Sequence, residues 1–153
     1  MAEKNKTKIW VQRIVILMVI VAAVGAGAYW YIFNIKFDAT KDAKATYTVN
    51  ALDLIHEFEA NDSASNKKYA DQIVTVNGRV SETEAADSTI NIKMIDTTKG
   101  SYIIFAFQTQ YLDEAKTLKS GDSVSIKGSC SGGAYSEILE TEYITFKRCT
   151  LNK

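Results

Sequence analysis

Hydrophobic and polar residues follow different rhythms along this chain, and each rhythm marks a different kind of element. Ile14 to Phe33 is an unbroken run of twenty residues without a charge. At ~1.5 Å per residue it makes about 30 Å of helix, enough to cross the hydrocarbon core of a bilayer. Trp10 stands at one end and Tyr29, Trp30, Tyr31 and Phe33 at the other, where aromatic rings favour the membrane interface. Residues 34–48 are polar, rich in Lys, Asp, Ala and Thr, and without a period. They read as a juxtamembrane linker. From Asn50 to Ala60 the spacing turns helical: Ala51, Leu54, Ile55 and Phe58 fall at i, i+3, i+4 and i+7, with Asn50 as the expected cap and Asp53 in the first turn. Asn61-Asp62-Ser63 reads as a turn.

The rest of the chain alternates with period two, the mark of half-buried strands. Val74, Val76, Gly78 and Val80 share one face of the first strand, and Thr75, Asn77 and Arg79 the other. Residues 81–88 are polar and acidic and read as a loop. Ile90, Ile92 and Met94 point inward in the second strand, with Asn91 and Lys93 outward. Ile103, Phe105 and Phe107 point inward in the third. Helical spacing returns at Tyr111, Leu112, Ala115 and Leu118, with Thr109 as a cap and Gly121 as the stop. Val124 and Ile126 mark the fourth strand, Gly132-Gly133 opens a loop, and extended segments follow at Ile138-Leu139 and from Tyr143 to Leu151. Five short strands with one helix after the third predict a mostly β (α+β) chain. Its expected form is an N-terminal transmembrane helix followed by a five-stranded Greek-key barrel of the OB type, with a leading helix and a helix between strands three and four. The expected division is a tail over 1–13, the span over 14–33, the linker over 34–48 and the barrel domain over 49–153.

Charge adds direction to this picture. The formal net charge is zero. Before the span, however, Lys4, Lys6, Lys8 and Arg13 face only Glu3, so the remainder of the chain carries three excess negative charges. The cationic flank places the N-terminus in the cytoplasm and the barrel outside, at the cell inner membrane. A cleaved signal peptide is the competing reading, with Ala26-Gly27-Ala28 as the small-residue site. The apolar run continues through Phe33 and favours an uncleaved anchor. No Cys lies in this region to accept a lipid. A mildly acidic domain gains little from a phosphate backbone, which makes nucleic acid the less favoured partner.

Over about Tyr47 to Leu151 the pattern resembles the tRNA-anticodon-binding-like family of OB-fold domains, often exported or membrane-tethered in Bacteroidetes. The resemblance is carried by Ala51-Leu52-Asp53-Leu54, by Asn61-Asp62 and Lys68-Tyr69, and by Val74-Thr75-Val76-Asn77-Gly78-Arg79-Val80. The most specific stretch is Leu118 to Gly132, containing Gly121-Asp122-Ser123-Val124 and Cys130, with Cys149 following late. The resemblance implies a fold and an address; it carries over no catalytic residue and no cofactor.

The candidate chemistry is sparse. Cys130 ends the fourth strand and Cys149 lies in the fifth, neighbours in such a barrel. Outside the cytoplasm that placement predicts a disulfide; two buried reduced thiols are the alternative. His56, the single histidine, reads as a solvated helix residue, which leaves a zinc site or a Ser-His-Asp triad without its needed member. The acidic residues Glu82, Glu84 and Asp87 read as solvated surface. OB domains bind along strands two and three, so the expected ligand face carries Arg79, Asn91, Lys93 and Tyr102. Tyr135 in the Gly-rich stretch is a further contact. The function expected from this reading is a membrane-anchored binding module rather than an enzyme, with an envelope protein, a glycan or a small molecule as ligand.

Overall fold

The computed structural model describes residues 2–34, 40–86 and 88–152, leaving aside the side chains of 2–8, 11 and 32–34. Of the expected linker, residues 35–39 lie outside the described residues, as does Asp87 of the acidic stretch. The chain divides into two compact units, Met1–Phe37 and Asp38–Lys153. The first is a single helix, α1 (Ala2–Asn34). Within it Gln12–Tyr31 has a mean hydropathy of 2.2, long and apolar enough to cross a membrane by length and composition.

The second unit runs β1 (Tyr47–Asn50), α2 (Ala51–Ala60), α3 (Asp62–Tyr69), β2 (Ile73–Arg79), β3 (Glu82–Ala86), β4 (Thr89–Ile95) and β5 (Tyr102–Phe107). A 3-10 turn at Thr109–Tyr111 leads into α4 (Leu112–Lys116), and β6 (Ser123–Ser136) and β7 (Thr141–Leu151) complete it. The seven strands form one mixed sheet in the order β1-β2-β6-β7-β5-β4-β3. The five expected strands are present as β2, β4, β5, β6 and β7, but the sheet is an open row of seven and not a five-stranded barrel. Two short strands make the difference. β1 lies parallel to β2, and β3 lies antiparallel to β4. Between β2 and β4 no ladder forms. Just past β2, the Ser81 N–H donates to the Lys93 carbonyl at 2.8 Å, and the Ser81 hydroxyl accepts from the Ile95 N–H at 2.9 Å.

The inward faces are those that the alternation marks. Val74, Val76, Ile90, Ile92, Met94, Ile103, Phe105, Phe107 and Ile126 are all buried. α2 lays Ala51, Leu54, Ile55 and Phe58 onto them, the four residues on its helical stripe. Asn50 occupies the cap position, but its side chain donates to the Asp53 carboxylate at 3.1 Å and makes no cap bond to the backbone. The stretch after α2 is a helix, where a turn was expected. Asn61 caps it by accepting from the Ala64 N–H at 3.0 Å, and Tyr69 at its end is buried between Phe58 and Tyr47.

Two further expectations change. Residues 82–86 form a strand, not a loop; every one of them is exposed, so no alternation marks it. β6 runs on through Gly132-Gly133, where a loop was expected, and its register against β7 shifts there. The reason is a close approach. A Cβ on Gly133 would lie 2.6 Å from Phe58 Cδ1, and the Asn66 amide bonds both the N–H and the carbonyl of Gly133, each at 2.9 Å.

The cysteines are both free and buried, so the expected disulfide is absent. Register explains it. Cys130 stands opposite Phe146, while Cys149 reaches over Gly128, where a Cβ would come within 2.6 Å of its sulfur. The two cysteines are thus offset along the β6–β7 pair and do not face each other. Cys130 Sγ instead accepts from the Gly132 N–H at 3.4 Å. Burial pushes both thiols above their ordinary range, Cys149 well above it.

Gly133→Ala forces a methyl group into the Phe58 ring, and a stability loss of about 1–3 kcal/mol is expected by denaturant titration, as for other overpacked sites. A loss near zero would mean that Phe58 yields freely.

Candidate functional site

Outward positions of β4, β5 and β7 form one continuous, half-buried surface. Lys93 stands beside Ile104, Ile95 beside Tyr102, and Tyr102 beside Tyr143, so that Asn91, Lys93, Tyr102 and Tyr143 share a face with Ile95, Ile104 and Thr145. At its centre the rings of Tyr102 and Tyr143 stack, centroids 6.3 Å apart and planes 24° apart. The Lys93 ammonium lies 5.7 Å from the Tyr102 ring centre. It also bonds the Glu84 carboxylate across the β3–β4 pair, with Glu82 at 3.9 Å. The Glu84 bond raises the lysine pKa and keeps it charged, while the two carboxylates neutralise its field. A flat aromatic step beside a compensated cation can stack a ring and donate hydrogen bonds, but it attracts free anions only weakly.

Three of the four expected ligand residues, Asn91, Lys93 and Tyr102, therefore stand together. Arg79 does not join them. It is exposed at the end of β2, in the wall of a cleft of about 510 Å³ between the start of α2 and the ends of β2 and β4, beside Asn50, Asp53 and Thr97. Tyr143 escaped the sequence reading. Its signal was there in the alternation of Tyr143, Ile144, Thr145 and Phe146, which puts the tyrosine outward.

His56 is more than a solvated residue. Its side chain is 55% exposed, but Nε2 lies 3.2 Å from Asp96 Oδ2, and Asp96 is only 4% exposed. Asp96 Oδ1 accepts from the Thr98 N–H at 2.8 Å and from the Thr98 hydroxyl at 2.5 Å. Those two bonds hold the Asp96 carboxyl below its usual range, with His56 adding to the effect. The arrangement pins the β4–β5 turn to α2. Among the described residues, no group of three or more His, Cys, Asp or Glu side chains could hold a metal ion.

The mixed sheet with α2 on its inner face and a polar-aromatic outer face is that of an OB-fold binding module, the class to which the matching family model belongs. The chain belongs to the tRNA_anti-like family, whose model matches residues 1–142. A crystal structure from Klebsiella pneumoniae subsp. pneumoniae MGH 78578, described as a "putative nucleic acid-binding lipoprotein", has a similar fold. Its TM-score is 0.53 at 14% identity, covering 69% of this chain and 91% of that one. A described putative aspartyl-tRNA synthetase from Leishmania major Friedlin aligns at TM-score 0.45 and 13% identity, over 75% of this chain and 22% of that one. No functionally curated protein matches the sequence.

Because the folded-state pKa of Asp96 is depressed, its bonds contribute stability above the ordinary carboxylate range and lose it as pH falls through the folded value. Asp96→Asn should lower Tm at about pH 7, and the gap to the unmodified protein should close towards about pH 3. A gap that stays constant with pH would show that the charge of Asp96 is not what stabilises the turn.

Proposed function

We propose that this protein is a membrane-tethered, non-enzymatic binding module whose outer face on β4, β5 and β7 holds an uncharged, ring-bearing ligand, an envelope glycan first. One observation carries the reading: the Tyr102–Tyr143 stack lies beside a cation that Glu82 and Glu84 already compensate. Tyrosine faces stack on sugar rings, and the Asn91 amide and the Lys93 ammonium supply donors at the edge of the stack. The same compensation argues against a phosphate-bearing ligand, for which affinity comes from cations free to displace counterions. α1 supports the tether, and the Lys/Arg excess before it supports an N-terminus in the cytoplasm and a sheet outside.

Single-stranded nucleic acid is the second reading. The stacked tyrosines favour it, since bases stack on such platforms, and so does the name given to the Klebsiella relative.

Titrating the full chain in detergent micelles with an N-acetylglucosamine tetrasaccharide, and separately with oligothymidylate, distinguishes the two. The glycan reading expects saturable binding that changes little between about 50 and 200 mM salt and weakens about tenfold in Tyr143→Ala. Oligothymidylate binding that collapses over that salt range, with no glycan binding, would replace the first reading with the second. Topology is tested by adding protease to spheroplasts. Degradation of residues 40–152 with α1 left in the membrane is expected; full protection until lysis would put the sheet in the cytoplasm.

A further inference from the structure

The inner face of β7 carries Glu142, Ile144 and Phe146 in succession. The last two are core residues. Glu142 sits in the same row and is 4% exposed, a carboxylate at a position built for a hydrocarbon. Its Oε1 is buried and accepts no hydrogen bond. A buried acceptor without a partner costs stability, and a position that tolerates that cost invites a search for the missing donor.

Glu142 faces a cavity of about 210 Å³ at the C-terminal end of α2, lined also by Glu59, Lys99, Ser101, Tyr135 and Glu140. Part of this lining is satisfied. Glu59 accepts from the Lys99 ammonium and from the Ser101 hydroxyl, each at 2.7 Å. The Ser101 oxygen in turn accepts from the Glu142 N–H at 3.2 Å. Lys99 neutralises Glu59, whereas among the described residues neither Glu140 nor Glu142 has an ion-pair partner. The acidic groups of this cavity do not form a cluster able to hold a metal ion. A cavity of this size beside a buried, unpartnered carboxylate oxygen has room for a larger cation, one that brings several N–H donors on one atom. The fold already shows such a match here: a lysine ammonium, that of Lys99, docks on Glu59.

The geometry points to a binding pocket for a primary alkylammonium group, with Glu142 and Glu140 as its acceptors and the Tyr135 ring as its wall. An ammonium head carries three donors, enough for both carboxylates, and its alkyl stem packs along the tyrosine face. The group could come from a lysine side chain of a partner or from a free diamine. Ile138, 93% exposed, and Leu139 stand on the same hairpin and offer an apolar flank to a peptide. The pocket opens at the inner end of β7 and is argued independently of the Tyr102–Tyr143 face.

The test is calorimetric titration of the full chain in micelles, at low salt, with cadaverine and with a peptide carrying one lysine between leucines. Acetylated lysine in the same peptide is the control. Saturable binding of the ammonium forms and none of the acetylated peptide is expected. Glu142→Gln, nearly isosteric, should weaken binding about tenfold or more, and Lys99→Gln, which removes the resident competitor, should tighten it a few-fold. Tighter binding of the peptide than of cadaverine assigns the source to a protein; equal binding assigns it to a free amine. No saturable binding, or an unchanged affinity in Glu142→Gln, overturns the proposal.

Loss of fold is separable from loss of site. Burial, with Asp62 and Glu59 nearby, raises the Glu142 carboxyl pKa, so its ionised form costs stability above the ordinary carboxylate range. That cost fades as pH falls through the raised value. Glu142→Gln should therefore raise Tm at neutral pH while it loses the ligand.

Discussion

Phe58 against Gly133 is the contact on which the second unit turns. α2 packs on the inner face of the sheet, and its Phe58 ring comes so close to β6 that the strand has no room there for a side chain. The ring then fills the middle of the core, stacked on Tyr69 with centroids 6.2 Å apart. From there order spreads in two directions. Asn66 of α3 reaches over to both backbone groups of Gly133, and the Tyr69 hydroxyl donates to the Glu57 carboxylate at 2.9 Å, so α2, α3 and β6 lock as one body. At the far side of the sheet Lys127 does the equivalent for the incoming chain, donating to the carbonyls of Lys41 and Ala43 at 2.7 and 3.0 Å.

This frame sets what each face can be used for. The inner face is consumed by packing except at its end, where Glu142 interrupts the hydrocarbon row. The outward positions of β4, β5 and β7 keep Tyr102 and Tyr143 half-buried and side by side on neighbouring strands. Rigid aromatic side chains lose little freedom when a ligand covers them, which makes such a face economical for recognition.

Much of this was legible in the sequence, because burial writes a period. The stripe of Ala51, Leu54, Ile55 and Phe58, and the alternations from Ile90 to Met94 and from Ile103 to Phe107, each name the residues that the core contains. The misses share a cause: they are elements held by backbone or polar contacts, which leave no hydrophobic period. β3 is exposed on both faces; α3 is held by an Asn cap and one terminal tyrosine; β6 passes through two glycines that look like a loop and are a close approach. The cysteines failed for a different reason. Neighbouring strands were expected correctly, but a disulfide depends on register, and the shifts in the β6–β7 pairing offset Cys130 from Cys149. On the candidate surfaces, Asn91, Lys93 and Tyr102 followed from alternation. Arg79 is also an outward position by alternation, but on β2, away from β4 and β5, and Glu142 was passed over although the same alternation puts a carboxylate inside.

The short strand β3 has one more consequence. It ends the row of seven, so its outer edge offers bare N–H and carbonyl groups to any strand that approaches. Glu82 and Glu84 both stand on it, with a single lysine between them to balance two charges. Two copies meeting along this edge would bring four carboxylates into one small area. Like charges meeting along an edge repel, so the acidic residues of this exposed strand make edge-to-edge pairing through β3 costly.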